Sequence, residues 1–431
     1  MKRILGVSIT LISIILYISC QDNVIQWNDP NPTGLSAAVI DSIVPNSGFG
    51  KEIVKIYGSG FLADKTKDMV LFGGIPGGVL EASETELTVE LPMINNKLLK
   101  VKVAIQGSEF WGYWTEEKLD TASQTITDTL DFTFKQAVTV FGDSIYWPAG
   151  ITLGLNDNIY FIINQLSPHW AKGVYTISPE GEIALLKKTN VLGNMVVGPD
   201  DRIYAPNLRP SQETGWISWI EMDGSTSFTK YIRDVVQPAY IDIDQMNNTM
   251  YIASLGFYEE NTNQVEDETV TEITDIKSGI YEVKNGTSDT VRVADYSRAV
   301  SCKIHDGYLY VTQVGNDEGA AVMRNEILVD GLGPNEEVIT EYENIYCIEF
   351  DVEGNMYFVP EGSKTLIQYN LTDKSAVEFY RDDIVETANF MCWSGESLYL
   401  VYSNAPSDPA VSQSDSPGRI QKVVIGIAGA E

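Results

Sequence analysis

Beyond residue 136 the apolar positions of the chain recur with a long period. Six segments end in an apolar residue followed by tyrosine: Ile159-Tyr160, Ile203-Tyr204, Met250-Tyr251, Leu309-Tyr310, Met356-Tyr357 and Leu398-Tyr399. The tyrosines lie 44, 47, 59, 47 and 42 residues apart. Each pair follows an apolar strand and a tight polar turn, as at Val352-Glu353-Gly354-Asn355, and most lead into a second hairpin, such as Val174-Tyr175-Thr176-Ile177 turning at Pro179-Glu180-Gly181. Four strands per roughly 45 residues is the rhythm of a β-propeller blade. The sixth repeat runs out of chain after its third strand, Ile420 to Ile427, while Ala137-Val138-Thr139-Val140-Phe141 is a strand without a partner ahead of the first repeat. This predicts ring closure, with the early strand completing the last blade and removing an exposed edge.

The stretch before residue 136 has a different rhythm. Ile40-Asp41-Ser42-Ile43-Val44-Pro45-Asn46-Ser47-Gly48 and Ile53-Val54-Lys55-Ile56-Tyr57-Gly58-Ser59-Gly60-Phe61 alternate apolar and polar residues between Pro/Gly turns, and Val70-Leu71-Phe72, Leu87-Thr88-Val89-Glu90-Leu91-Pro92 and Val101-Lys102-Val103 continue the series. Such alternation predicts short antiparallel strands. The order Ile-x-Pro-x-x-Gly, an apolar strand ending Gly-x-x-Phe, a further strand, a Gly pair and Leu-x-Val-x-x-Pro resembles the IPT/TIG family of immunoglobulin-like domains. The later repeats resemble NHL-type six-bladed propellers. The expected architecture is therefore all-β: a signal peptide over 1–19, a tether over 20–36, an IPT/TIG β-sandwich over 37–135 and a six-bladed NHL-like propeller over 136–431, closed by its N-terminal strand. Neither likeness fixes an activity.

The first residues change the picture of where the chain resides. Lys2 and Arg3 precede an apolar run from Ile4 to Ile18, about 15 residues and short of the ~20 a spanning helix needs. The run ends Leu16-Tyr17-Ile18-Ser19-Cys20, which resembles a bacterial lipobox, although Tyr17 is bulkier than that pattern usually carries. The resemblance implies that Cys20 is acylated and that a Pro/Asn-rich tether follows to Ser36. Net charge is -31, which excludes nucleic acid as a partner, since phosphate binding requires a basic footprint. Cys302, Cys347 and Cys392 lie 45 residues apart each time. Equivalent positions in successive repeats do not face one another, so buried free thiols are expected.

Candidate chemistry is sparse. There is no G-x-S-x-G, H-E-x-x-H or P-loop motif. His169 and His305 are the two histidines, one in a long loop and one in a tight turn, so no shared metal centre is expected. Asp242-x-Asp244 with Asn247 lacks the glycine and terminal glutamate of an EF-hand loop. No cofactor and no catalytic residue is assigned. The loops between second and third strands are long (164–173, 207–215, 255–279 and 403–418), and extra loop on one rim points to function there. Trp170, Arg209, Trp216 and Tyr258 on or beside these loops, with Trp147, Tyr240, Arg298 and Asn389 on the inter-blade connections, are the candidate ligand-binding residues. Aromatic faces beside Arg and Asn suit a sugar ring, although aromatics also wedge between blades as packing. The acidic stretch from Glu259 to Asp275 reads as a solvated insertion, with a calcium loop as the alternative. Phe110-Trp111-Gly112-Tyr113-Trp114 is either a docking surface or a second glycan platform.

Taken together, lipobox, tether, IPT-like module and NHL-like propeller resemble the outer-membrane lipoproteins of Bacteroidetes encoded with SusC/SusD-like importers. That resemblance implies capture of a glycan, or a peptide, at the cell surface, with the importer as partner and the membrane touched through the lipid alone. A propeller enzyme, either lyase or lactonase, and a structural subunit of the importer are the alternatives.

Overall fold

The computed structural model describes residues 34–108, 110–119, 125–145, 148–164, 171–189, 193–207, 214–265, 268–276, 278–284, 287–315, 319–402 and 418–430. The leader, Cys20 and most of the tether lie outside them. The chain is all-β and divides into two compact units, one formed by the residues up to 134 apart from 49–51 and 93–96, the other by those two stretches and the residues from 135 onward.

In the first unit, alternation along each strand sorts side chains by face. Ile53–Ser59 buries Val54, Ile56 and Gly58, and Leu98–Ile105 buries Val101, Val103 and Ile105. Two larger sheets result: Val39–Val44, Ile53–Ser59, Glu86–Glu90 and Gly78–Ala82 in one, and Ser47–Gly48, Asp131–Phe134, Leu98–Ile105, Asp68–Phe72 and Ile75–Pro76, with Gly112–Tyr113 beside Leu98–Ile105, in the other; Thr115–Leu119 and Thr125–Thr129 form a two-stranded sheet. Phe72, Phe132 and Phe134 meet edge to face at 5.2 to 5.5 Å in the core between them. Gly58 is obligatory for a simple reason: a Cβ there would stand 1.9 Å from the carbonyl oxygen of Val39 on the neighbouring strand. Of the aromatic run near residue 110, Trp114 is buried in this unit, Trp111 lies 4.2 Å beneath the Lys102 ammonium, and Phe110 is exposed.

The second unit contains six large antiparallel sheets among the described residues, five of four strands and the fourth of five, besides a two-stranded hairpin. Their first strands are Pro148–Leu153, Val196–Val197, Pro238–Asp244, Ala299–His305, Glu349–Phe350 and Phe390–Ser394. Their second strands are Ile159–Ile163, Arg202–Asn207, Thr249–Ser254, Tyr308–Gln313, Asn355–Phe358 and Ser397–Tyr402, and each carries one of the six repeat tyrosines, all buried. The second strands are apolar on both faces because each sheet is covered twice. Tyr160 and Ile162 pack on Ile203 and Ala205 of the second sheet. Tyr204 and Ile217 pack on Ile241 and Ile252 of the third. The series continues from third to fourth, fourth to fifth and fifth to sixth. Cys392, Tyr399, Val401 and Ile420 of the sixth sheet then share a core with Ile151, Phe161 and Tyr175 of the first. The sixth sheet takes its outermost strand from Val138–Ile145, which pairs with Gly418–Val424 in the register Val138↔Val423 and Thr139↔Lys422.

One segment differs from expectation. Residues 259–275 are not an open loop: Phe257–Val265 and Glu268–Ile276 pair over nine positions as a hairpin of their own. The sequence carries a signal for it in the β-branched run Thr269-Val270-Thr271 with Ile273 and Thr274, interleaved with acids that favour a solvated loop.

Candidate functional site

The register of the first hairpins produces the one feature that all six sheets share. Directly across from the six tyrosines stand Thr152, Val196, Asp242, Lys303, Glu349 and Cys392, opposite Tyr160, Tyr204, Tyr251, Tyr310, Tyr357 and Tyr399 respectively. All six line a single cavity of about 360 Å³, together with Asn194, Tyr240, Met391, Trp393 and the C-terminal residues Ala428, Gly429 and Ala430. The repeat thus brings one residue per sheet to a common centre, and each sheet fills its place with different chemistry.

Side-chain bonds join neighbouring first strands around this ring. The Asn194 amide donates to the carbonyl of Ile241 at 3.0 Å, and the Ile241 N–H donates back to its Oδ1 at 2.9 Å. Asp242 Oδ2 accepts the Ile304 N–H of the fourth sheet at 2.7 Å, and its Oδ1 accepts the Ile243 N–H at 3.0 Å. Lys303 Nζ donates to Glu349 Oε1 at 2.9 Å. Burial pushes the Asp242 and Glu349 carboxyls up, against the pull of Lys303 on each. Burial also works against the Lys303 charge, but Glu349 and then Asp242 outweigh it and raise the ammonium. Two carboxylates share one lysine here.

Trp393 adds an unmet demand. It is 7% exposed, its ring meets Tyr357 edge to face at 5.3 Å, and its indole N–H is the one buried side-chain polar atom without a hydrogen-bond partner among the described residues. Buried donors are nearly always satisfied, and leaving one unmet costs about 1–3 kcal/mol. The C-terminal segment forms the adjoining wall. The Val352 N–H donates to Ala428 O at 3.0 Å, the Ala430 N–H to Phe350 O at 2.9 Å and the Gly429 N–H to Gly395 O at 3.4 Å. Gly429 permits this approach, since a Cβ there would lie 2.1 Å from Trp393 Cγ.

The residues singled out from the sequence are dispersed. Tyr240 lines the cavity, buried, with its ring 6.2 Å from that of Phe390 and nearly parallel to it. Trp216 sits on the third strand of the second sheet, with the Lys230 ammonium 3.7 Å over its ring. Arg298 is exposed in a left-handed backbone conformation just before the first strand of the fourth sheet. Asn389 is half-buried and donates its main-chain N–H to Val401 O at 2.9 Å. Tyr258 lies on the additional hairpin, opposite Asp275. Trp147, Trp170, Arg209 and His169 lie outside the described residues, as do most of the long loops. His305 ends the first strand of the fourth sheet and stacks on Phe350 at 4.2 Å. Cys302, Cys347 and Cys392 are buried free thiols. Asp244 caps the first turn of the third sheet, accepting from the N–H groups of Met246 and Asn247 and from the Asn247 amide. No group of three or more His, Cys, Asp or Glu with metal-holding geometry occurs among the described residues.

Fold and site define an all-β protein with a β-propeller-like second unit and a mixed polar cavity at the meeting of its first strands. Residues 38–133 match the IPT/TIG domain family. No curated protein matches the chain. Among solved structures it is similar to a structural genomics protein of unknown function from Bacteroides thetaiotaomicron, at 15% identity and TM-score 0.43 over 91% of this chain and 98% of that one. An auxiliary nutrient binding protein from the same organism gives 12%, 0.46, 92% and 98%. A gluconolactonase from Xanthomonas campestris gives 10%, 0.47, 68% and 89%. These are likenesses of chain path and transfer no activity.

Proposed function

We propose that this chain is a non-catalytic binding protein, anchored by lipid at Cys20 on the outer membrane, that retains a glycan or peptide nutrient for an importer of the SusC/SusD type. In this reading the six sheets are the blades of an NHL-like propeller. Its ring is closed by the packing of the sixth sheet on the first and by the borrowed strand Val138–Ile145. The observation that carries the binding function is the cavity of about 360 Å³ that gathers Thr152, Asp242, Lys303 and Glu349 with Tyr240, Ile151, Ile241 and Met391. A concave site lined by apolar side chains with a few convergent polar groups is where a small ligand is held. The lipobox-like Ile18-Ser19-Cys20 supports the anchor, and the net charge of -31 supports a neutral or basic ligand over a polyanion.

Titration calorimetry of the full chain in detergent, against panels of neutral glycans and peptides, tests the reading. Retention of a ligand without turnover is the expected result; a chain that binds neither class is not a nutrient-binding protein. The alternative of an enzyme has one observation in its favour, the two carboxylates beside a lysine, a set able to move protons. Release of product from a bound glycan or lactone, lost in Glu349→Gln, would establish that alternative.

A further inference from the structure

We infer that the ring cavity takes one small, neutral, polyhydroxylated ring, a single sugar unit, and not an internal stretch of a polymer or a peptide. This rests on the binding function proposed above and names its ligand class.

The cavity volume, about 360 Å³, stands near the lower end of the ~300–1,000 Å³ typical of small-molecule sites, which suits one ring and not a chain. Its walls demand a ligand that both donates and accepts. The Lys303 ammonium can only donate, and it carries hydrogens beyond the one given to Glu349. The Asp242 and Glu349 carboxylates keep lone pairs beyond the bonds they already accept. Thr152, 9% exposed, offers a hydroxyl whose one contact, to Leu153 O, is long at 3.4 Å. A ligand with only acceptors would leave the carboxylates unmet, and one with only donors would leave the ammonium unmet; a set of hydroxyls serves both. Net charge on the ligand is disfavoured from either side. An anion meets two carboxylates, and a cation meets Lys303, which already serves as their counter-ion. Ile151, Ile241, Met391 and Tyr240 supply apolar surface for ring C–H groups. The wall at Ala428–Ala430 is bonded to both the fifth and the sixth sheets.

The test is titration calorimetry of the full chain in detergent with glucose, galactose, mannose and N-acetylglucosamine. Linear hexasaccharides of the same sugars and a neutral hexapeptide complete the set. At least one free sugar should bind at one site per chain. Thr152→Val, nearly the same shape, should weaken that binding about fivefold with the melting temperature within a few degrees of the parent. Thr152→Ser, which keeps the hydroxyl, should retain the binding and guards against a packing defect in the valine variant. Hexasaccharide or hexapeptide binding without any binding of free sugars overturns the inference while leaving a nutrient-binding protein. So does free-sugar binding that Thr152→Val leaves untouched. Failure of every probe removes the inference and the binding function together.

Discussion

Lys303 and Glu349 hold opposite charges 2.9 Å apart where neither is well hydrated: the Glu349 side chain is 5% exposed and that of Lys303 26%. Such a pair adds little net stability, but removing one partner strands the other. Lys303→Met should therefore lower stability by about 3 kcal/mol, measured by denaturant unfolding, and Lys303→Met with Glu349→Leu should recover most of it. A double variant as unstable as the single one would mean that packing, not charge, sets the cost. In the IPT/TIG module, Asp68 is 4% exposed and accepts the Leu62 N–H on both carboxylate oxygens at 3.2 Å. Burial pushes its carboxyl up to about 6, against those hydrogen bonds. An acid with a raised folded pKa binds its proton more tightly in the folded state. The resulting stabilisation is complete below the unfolded value of ~3.9 and is lost as pH rises through about 6. Melting of this module should fall from pH 4 to pH 7, and Asp68→Asn should flatten the slope by raising the neutral-pH end. An unchanged slope would place the titration elsewhere. None of these three residues was singled out in the sequence. A lone acid in an alternating strand looks like a solvent-facing position, whereas Asp68 is 4% exposed where its strand pairs with Ile105.

Strands were more legible than their partners. The alternation in Ile53–Ser59 and Leu98–Ile105 is a local consequence of period-2 geometry, so it could be read directly. The short strands Gly78–Ala82 and Asp131–Phe134 were not, because their burial depends on what covers them. The hairpin Phe257–Val265 with Glu268–Ile276 shows the opposite failure, where charge was allowed to outvote β-branched content. This hairpin is not required by the sheet that bears it, because Thr249–Ser254 pairs straight onto Gly279–Val283, from Met250↔Val283 to Ser254↔Gly279. Replacing residues 257–277 by a short Gly/Asn turn should leave the melting temperature within a few degrees. A collapse in stability, read by circular dichroism, would show that the hairpin supports the third sheet.

For the molecule as a whole, the proposed anchor makes a prediction separable from the fold. Cys20→Ala should move the chain from the membrane pellet to the soluble fraction with its melting behaviour unchanged; unaltered fractionation would remove the lipid from the account. The sequence by itself determined the all-β class, the IPT/TIG-like module and the six recurring tyrosines, because these follow from local alternation and a period visible along one dimension. Only the tertiary structure decided the site. Thr152, Val196, Asp242, Lys303, Glu349 and Cys392 precede their paired tyrosines by seven to nine residues, depending on the length of each turn. No fixed offset marks them, and their types share nothing. They become one cavity because antiparallel register places each opposite its tyrosine and six sheets carry those positions to a common centre, a convergence that spacing along the chain does not encode.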